Sequence, residues 1–170
     1  MKKRIMSFLL ALVMVLGMMP AMCLESYADD WAPSGSCGAN LTWTIKDGTL
    51  IISGTGGMDS YRQVESKKAP WYSSRYTIYD VTIEEGVTSI GSFAFEDMRF
   101  TSITLPDSIT SIGEKAFADC GSLTSITMPA GLTTVGKNAF YFCQSLEKVY
   151  ISDLAAWCKI NFANGSANPL

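Results

Sequence analysis

The cysteines are the residues of this chain whose chemistry depends most on spacing. The sequence of 170 residues contains five cysteines and no histidine. Without histidine, the Ser-His-Asp and Cys-His arrangements of nucleophilic catalysis are excluded, and so is every metal site with a histidine ligand. A zinc site built from four cysteines needs paired short spacings such as Cys-x-x-Cys, which the sequence lacks. We therefore expect no metal site and no nucleophilic cysteine.

Cys120 and Cys143 are 23 residues apart and occupy the same position of a repeating unit described below. Neighbouring strands of a ladder lie ~4.8 Å apart, and disulfides usually join Cα atoms separated by ~4.4–6.8 Å, so the spacing allows a disulfide. The alternative is that both are small buried hydrophobic residues. Met98 fills the same position one unit earlier, which favours the alternative.

Carboxylates are the other candidates for catalysis. Asp97 and Asp119 share a position of the repeat, and Glu84 and Glu85 precede a turn. Glycoside hydrolysis needs two carboxyl groups in a cleft, one of them with a raised pKa. Acids that recur at loop positions are more typical of solvated turns. We expect no catalytic residue, no cofactor and no enzymatic activity.

The composition limits the class of protein. Hydrophobic residues make up 48% of the chain, charged residues 17%, and the formal net charge is −3. A disordered chain would be richer in charge and poorer in aliphatic residues. A nucleic-acid-binding protein would carry a basic stripe, which the sequence lacks. A folded domain that does not bind nucleic acid is predicted.

The elements that position these residues are internal repeats. Four apolar-polar-apolar triplets begin at Val81, Ile103, Ile126 and Val149, at steps of 22, 23 and 23 residues. Such alternation is typical of half-buried strands. A unit this short cannot bury its own apolar face, so stacked units form a solenoid. Between the triplets recur a glycine and an Ala-Phe pair: Gly91, Gly113 and Gly136, then Phe95, Phe117 and Phe140.

The predicted fold is a mainly β solenoid with units of about 23 residues. Each unit is expected to contain one short strand and a return that is a turn or a short helix. The recurrent glycines are expected at turns with positive φ. The recurrent phenylalanines are expected to stack along the solenoid.

The repeat resembles a known family. Residues 100–120 read Leu-x-x-Ile-x-Leu-Pro-x-x-Ile-Thr-x-Ile-Gly-x-x-Ala-Phe-x-x-Cys, with Phe100 in the leading Leu position, and residues 123–143 repeat this pattern. It resembles the BspA-like leucine-rich repeat of bacterial surface proteins, over residues 78–151. The segment 36–54 is similar to the module that precedes such repeats. Asp47-Gly48 between alternating segments predicts a β-hairpin there, which would cap the solenoid.

The amino terminus has the layout of a secretory signal peptide. Three basic residues precede an apolar run at 5–19, and small residues end at Ala28. An uncleaved membrane anchor is the alternative, but the apolar run is shorter than the ~20 residues that a span needs. Cleavage after Ala28 predicts a secreted or cell-surface protein without a membrane span.

The chain therefore divides into four predicted parts. A signal peptide at 1–28 is followed by an amino-terminal β cap at 29–77 and the solenoid at 78–151. The last part, 152–170, has helical spacing. Similar proteins continue with further strands or repeats, so the chain is expected to be either a fragment or a short family member.

The outward positions of the strands are the candidate binding surface, because solenoids present such columns as extended binding faces. The alternative is that threonine is simply a favourable residue on an exposed strand. The first column is Thr82, Thr104, Thr127 and Tyr150, and the column beside it is Asp80, Ser102, Ser125 and Lys148.

The resemblance implies non-catalytic binding or adhesion. The partners would be host extracellular proteins, bacterial surface proteins or surface glycans. Two other classes stay open at this stage. One is a targeting or structural arm of a larger exported enzyme, truncated at residue 170. The other is a structural protein of the cell envelope.

Overall fold

The computed structural model describes residues 33–170. The predicted signal peptide, 1–28, lies outside the described residues, as do the first four residues of the predicted cap. Within the described part, no helix has the length and apolar character that crossing a membrane requires.

The amino-terminal cap is an antiparallel sheet of three strands. The strands are β1 (Ser34–Gly38), β2 (Leu41–Lys46) and β3 (Thr49–Gly54). The predicted hairpin is present, since β2 pairs with β3 and both turn residues, Asp47 and Gly48, have positive φ. β1 pairs with β2 in addition. The sequence did not indicate β1, because serine and glycine give it no apolar alternation.

The predicted strands of the repeats form one side of the solenoid. They are β5 (Asp80–Ile83), β7 (Ser102–Thr104), β9 (Ser125–Met128) and β11 (Lys148–Ile151). β5 pairs in parallel with β3 of the cap, and β7, β9 and β11 form a second parallel sheet. The cap thus continues into the solenoid through the β3–β5 pair.

A second strand in each unit was not predicted. A parallel sheet of five strands contains β4 (Gly56–Gly57), β6 (Val87–Ile90), β8 (Ser111–Ile112), β10 (Thr134–Val135) and β12 (Asn161–Phe162). β8, β10 and β12 are two residues long, too short to show a period of two in the sequence. The mainly β solenoid is confirmed, with two strands and a turn in each unit.

The recurrent glycines have a different role from the predicted one. Gly91, Gly113 and Gly136 do not have positive φ. A Cβ atom on Gly113 would lie 2.5 Å from the backbone nitrogen of Ser92, and one on Gly136 would lie 2.5 Å from that of Glu114. Glycine is required because successive units touch backbone to backbone here. The positive φ angles belong to two other positions of each repeat: Phe93, Lys115 and Asn138, and Asp97, Asp119 and Phe142.

The predicted phenylalanine stack is confirmed. Phe95 and Phe117 stack with centroids 5.4 Å apart, and so do Phe117 and Phe140. Trp71 extends the stack, 5.9 Å from Phe95, and its indole Nε1 donates a 2.8 Å hydrogen bond to the carbonyl of Ala94. These aromatic rings belong to the hydrophobic core.

The carboxyl-terminal segment contains one short helix and one further strand. Asp153 caps helix α1 (Leu154–Trp157) by accepting hydrogen bonds from the amides of Ala155 and Ala156. β12 then adds to the second sheet beside β10. The side chains of Asn138 and Asn164 join this segment to the last repeat through a 2.6 Å hydrogen bond.

Candidate binding face

The outward side chains of β7, β9 and β11 form regular columns. The parallel register places Ser102 beside Ser125 and Ser125 beside Lys148. The other column continues from Thr104 through Thr127 to Tyr150 in the same way. Of the side chains between them in sequence, Ile103 and Ile126 are buried and Val149 is partly buried. The alternation seen in the sequence therefore places the candidate residues on one exposed face.

A groove divides this face between β5 and β7. β5 is the last strand of the cap sheet and β7 is the edge of the next sheet. The groove has a volume of about 430 Å³. Thr82, Ser102 and Thr104 of the predicted binding residues line it, together with Asp80 and Glu85. The other four predicted residues, Thr127, Tyr150, Ser125 and Lys148, lie on the continuous β9–β11 part of the face.

The groove coincides with an irregularity of the repeat. One residue separates Met98 from Phe100, whereas two residues separate Cys120 from Leu123. The shorter unit also has Phe100 where the next has Leu123, and the Phe100 ring packs edge-on against Phe95. The interruption of the ladder therefore falls at the shortened unit.

A second polar pocket lies where the cap meets the repeats. It has a volume of about 470 Å³, and Gln63, Lys68, Tyr72, Glu96, Asp97 and Asp119 line it. Glu96 is buried and accepts a 2.6 Å hydrogen bond from the side-chain amide of Gln63. The pKa of Glu96 is raised overall, mainly because the carboxyl group is buried. The hydrogen bond from Gln63 lowers this pKa, and the charge of Asp119 raises it. Sequence reasoning missed Gln63 and Glu96, because residues 33 positions apart give no local signal.

The acids of this pocket are engaged in structural contacts. The guanidinium Nε of Arg75 lies 3.0 Å from the Asp97 carboxylate, and the same guanidinium packs over the ring of Tyr72. Asp97 and Asp119 share a position of the repeat, as the sequence indicated, and both have positive φ. Since Asp97 is held by Arg75 and Glu96 by Gln63, this arrangement ties the cap to the repeats.

Cys120 and Cys143 are free thiols in the structure. The Sγ of Cys120 lies 3.0 Å from the carbonyl oxygen of Phe95, and that of Cys143 lies 3.0 Å from the carbonyl oxygen of Phe117. Burial raises the pKa of both thiols, that of Cys143 to about 11. This geometry is that of small core residues that donate to the preceding repeat. Among the residues from 33 onward, no group of three or more side chains could hold a metal ion.

We expect Cys158 to be alkylated by iodoacetamide in the native protein at neutral pH, while Cys37, Cys120 and Cys143 are protected. The reactive species is the thiolate, and Cys158 is exposed whereas Cys37 and Cys120 are buried. Mass spectrometry of the digested protein, labelled with and without guanidinium, measures this. Native labelling of Cys120 as fast as that of Cys158, or recovery of a Cys120–Cys143 disulfide, would contradict it.

The raised pKa values of the buried thiols predict that the stability of the protein depends on pH. Burial first, and the charge of Asp59 second, raise the pKa of Cys37 from 9.0 to about 11. A group whose pKa is raised by folding stabilises the folded state below its unfolded pKa. This contribution is lost as the pH rises from 9.0 to about 11. Urea denaturation at several pH values across this range measures the loss of stability. Cys143→Ala should reduce the slope of the free energy of unfolding against pH. An unchanged slope in that variant would contradict the assignment.

The fold and the site define a class of protein. Short stacked units, each with two parallel strands and buried aliphatic and phenylalanine positions, form a leucine-rich repeat solenoid with a polar strand face. The BspA type leucine rich repeat region matches residues 69–166 in six copies. The chain therefore belongs to the BspA-type leucine-rich repeat family. The match begins at Ala69, just before Trp71, which opens the aromatic stack.

Solved structures of leucine-rich repeat proteins are similar to the chain. One is from Eubacterium ventriosum, with 27% sequence identity and a TM-score of 0.57 over 69% of this chain and 40% of that one. Another is from Bacteroides capillosus, with 25% identity and a TM-score of 0.37 over 68% of this chain and 96% of that one. A third, a leucine rich cell surface protein from Faecalibacterium prausnitzii, shares 18% identity with a TM-score of 0.44 over 76% and 42% of the two chains.

The chain spans less than half the length of the Eubacterium ventriosum structure. No curated protein sequence matches the chain. Neither the family description nor the described residues indicate a catalytic function.

Proposed function

We propose that this protein is secreted or displayed on the cell surface and binds other proteins or surface glycans through its strand face, without catalysis. The observation that carries the proposal is the strand face itself. It presents columns of polar side chains in parallel register across β7, β9 and β11, exposed on β7 and β11 and half-buried on β9. The layout of residues 1–28 as a signal peptide supports export. Host extracellular proteins, bacterial surface proteins and surface glycans are the ligands on which adhesion would depend.

Tyr150 is the residue of this face with the largest expected effect on binding. Its side chain is 53% exposed, so its removal leaves the core intact. Tyrosine is enriched among the residues that dominate binding energy at interfaces. We expect Tyr150→Ala to weaken binding about tenfold. Phe142→Ala is the matched control, because Phe142 is 54% exposed and lies on a turn rather than on the strand face.

The measurement is saturable binding of fluorescently labelled full-length protein to intact bacterial and epithelial cells, in competition with unlabelled protein. A folded protein that shows no saturable binding would contradict adhesion and favour a structural role in the cell envelope. Equal losses for Tyr150→Ala and Phe142→Ala would remove the strand face from the proposal. The intact mass of the protein from its native host tests cleavage after Ala28. A mass large enough to include a catalytic domain would favour the arm of a larger exported enzyme.

A further inference from the structure

We propose that the groove between β5 and β7 binds a lysine or arginine side chain carried on an extended segment of the protein partner. This inference rests on the proposed function and specifies the chemistry of its ligand. The groove is the one place on the strand face, within the described residues, where two sheet edges face each other.

The backbone of the groove offers hydrogen-bonding groups. In a parallel ladder, alternate residues of a strand bond to the neighbours on its two sides. β5 uses one set of residues to pair with β3, and β7 uses one set to pair with β9. In the described chain, no backbone hydrogen bond joins β5 to β7. The remaining backbone groups of the two strands therefore face the groove. The amide of Val81 already donates a 2.9 Å hydrogen bond to the Asp80 carboxylate, and the carbonyl oxygens are left to a ligand.

The groove between β5 and β7 is too narrow to admit a strand. Some Cα atoms of β5 and β7 lie within 8 Å of each other. A strand inserted between them would need a separation of ~9.6 Å, twice the spacing of paired strands. Addition of a partner strand inside the groove is therefore excluded without separating β5 from β7. A side chain that enters from the exposed face meets no such obstacle.

The charge of the groove favours a cationic side chain. Its charged lining residues, Asp80 and Glu85, are both acidic. The Glu85 carboxylate is held in place by the amides of Asp107 and Ser108, at 3.0 and 3.3 Å. Thr82 and Thr104 add hydroxyl groups. Ammonium and guanidinium groups only donate hydrogen bonds, so they match a lining of carboxylates, hydroxyls and free carbonyl oxygens.

The rest of the face explains why the segment would be extended. From the groove, the column of Ser102 continues without interruption through Ser125 to Lys148 on the neighbouring strands. A partner segment lying across these strands places one side chain in the groove and the following ones along the hydroxyl-bearing columns.

The experiment titrates the full-length protein with a fluorescent peptide of alternating lysine and threonine, measured by anisotropy. A peptide of alternating glutamate and threonine is the charge control. We expect Asp80→Asn combined with Glu85→Gln to weaken binding of the lysine peptide about tenfold, the usual value of a charge-assisted hydrogen bond. Glu114→Gln combined with Glu147→Gln removes the same charge from exposed positions outside the groove, and should leave the affinity unchanged.

A matched steric pair tests the position of the site. Ser102→Trp fills the groove, and Thr134→Trp places the same side chain at an exposed position of β10, in the other sheet and away from the strand face. We expect only Ser102→Trp to abolish binding, with circular dichroism showing that both variants are folded. Equal effects of the two tryptophans, or of the two charge pairs, would overturn the proposal.

The same variants separate this inference from the proposed function. Cell binding by the wild-type protein that is insensitive to Ser102→Trp and to the acid substitutions overturns the groove proposal alone. Displacement of cell binding by a neutral oligosaccharide, but not by the lysine peptide, also overturns it, since the ligand is then a glycan. Absence of cell binding by the wild-type protein overturns the proposed function itself.

Discussion

Replacing Phe117 with alanine is expected to lower the free energy of unfolding by about 3–5 kcal/mol. Phe117 is fully buried, and it stacks against Phe95 on one side and Phe140 on the other. Removing the ring loses both contacts and leaves a cavity in the centre of the aromatic stack. The neighbouring units on both sides are held by the same stack, so the cavity cannot close without moving them.

Urea denaturation followed by tryptophan fluorescence measures this effect. Phe142→Ala is the control, because Phe142 is half exposed and should cost less than about 1 kcal/mol. Total stabilities of domains are about 5–15 kcal/mol, so Phe117→Ala is expected to remove a large fraction of the stability. Phe117→Leu keeps most of the volume and should show a smaller loss of the same sign. A loss below that of Phe142→Ala would show that the stack contributes little.

The second large effect is expected from Gly113→Ala. A Cβ atom at this position would lie 2.5 Å from the backbone nitrogen of Ser92 and 2.8 Å from the carbonyl carbon of Gly91. Both contacts are with backbone, which has no rotamer to change, so two adjacent units must separate. Overpacking of this kind costs about 1–3 kcal/mol, occasionally more. We expect a loss of stability at the upper end of this range, because the Cβ would approach three backbone atoms of the adjacent unit within 3.0 Å.

Gly121→Ala is the matched control for this experiment. No atom lies within 4 Å of the position that its Cβ would occupy, and its φ is not positive. The substitution should therefore be neutral or stabilise by up to about 1 kcal/mol through the unfolded state. Thermal denaturation of the two variants gives the comparison. Similar melting temperatures for both would refute the explanation of the glycine column by backbone contact.

The glycine column shows where local reasoning stops. The recurrence of Gly91, Gly113 and Gly136 was visible in the sequence, and it correctly indicated a constraint on the backbone. The predicted constraint, a positive φ, was wrong. The positive φ angles occur instead at residues such as Phe93 and Asp97. A close approach between units cannot be distinguished from a left-handed turn by the residue type alone, because both favour glycine.

The candidate site was predictable to a similar extent. The alternation of Ile103 with Ser102 and Thr104 was enough to place the polar residues on the exposed face. The groove was not predictable, although the missing residue after Met98 could be counted. Its effect depends on how β7 packs against β5, which lies one whole unit away in sequence.

The sequence by itself determined the repeat, the hairpin at Asp47 and Gly48, the aromatic stack and the exposed columns. These features follow from short patterns that recur at a fixed period, so each unit reports on the others. Only the tertiary structure decided the second sheet, the role of the glycines, the continuation of the stack to Trp71 and the groove between β5 and β7. Each of these depends on the distance between backbones or side chains of different units, and that distance is set by packing rather than by local conformational preference.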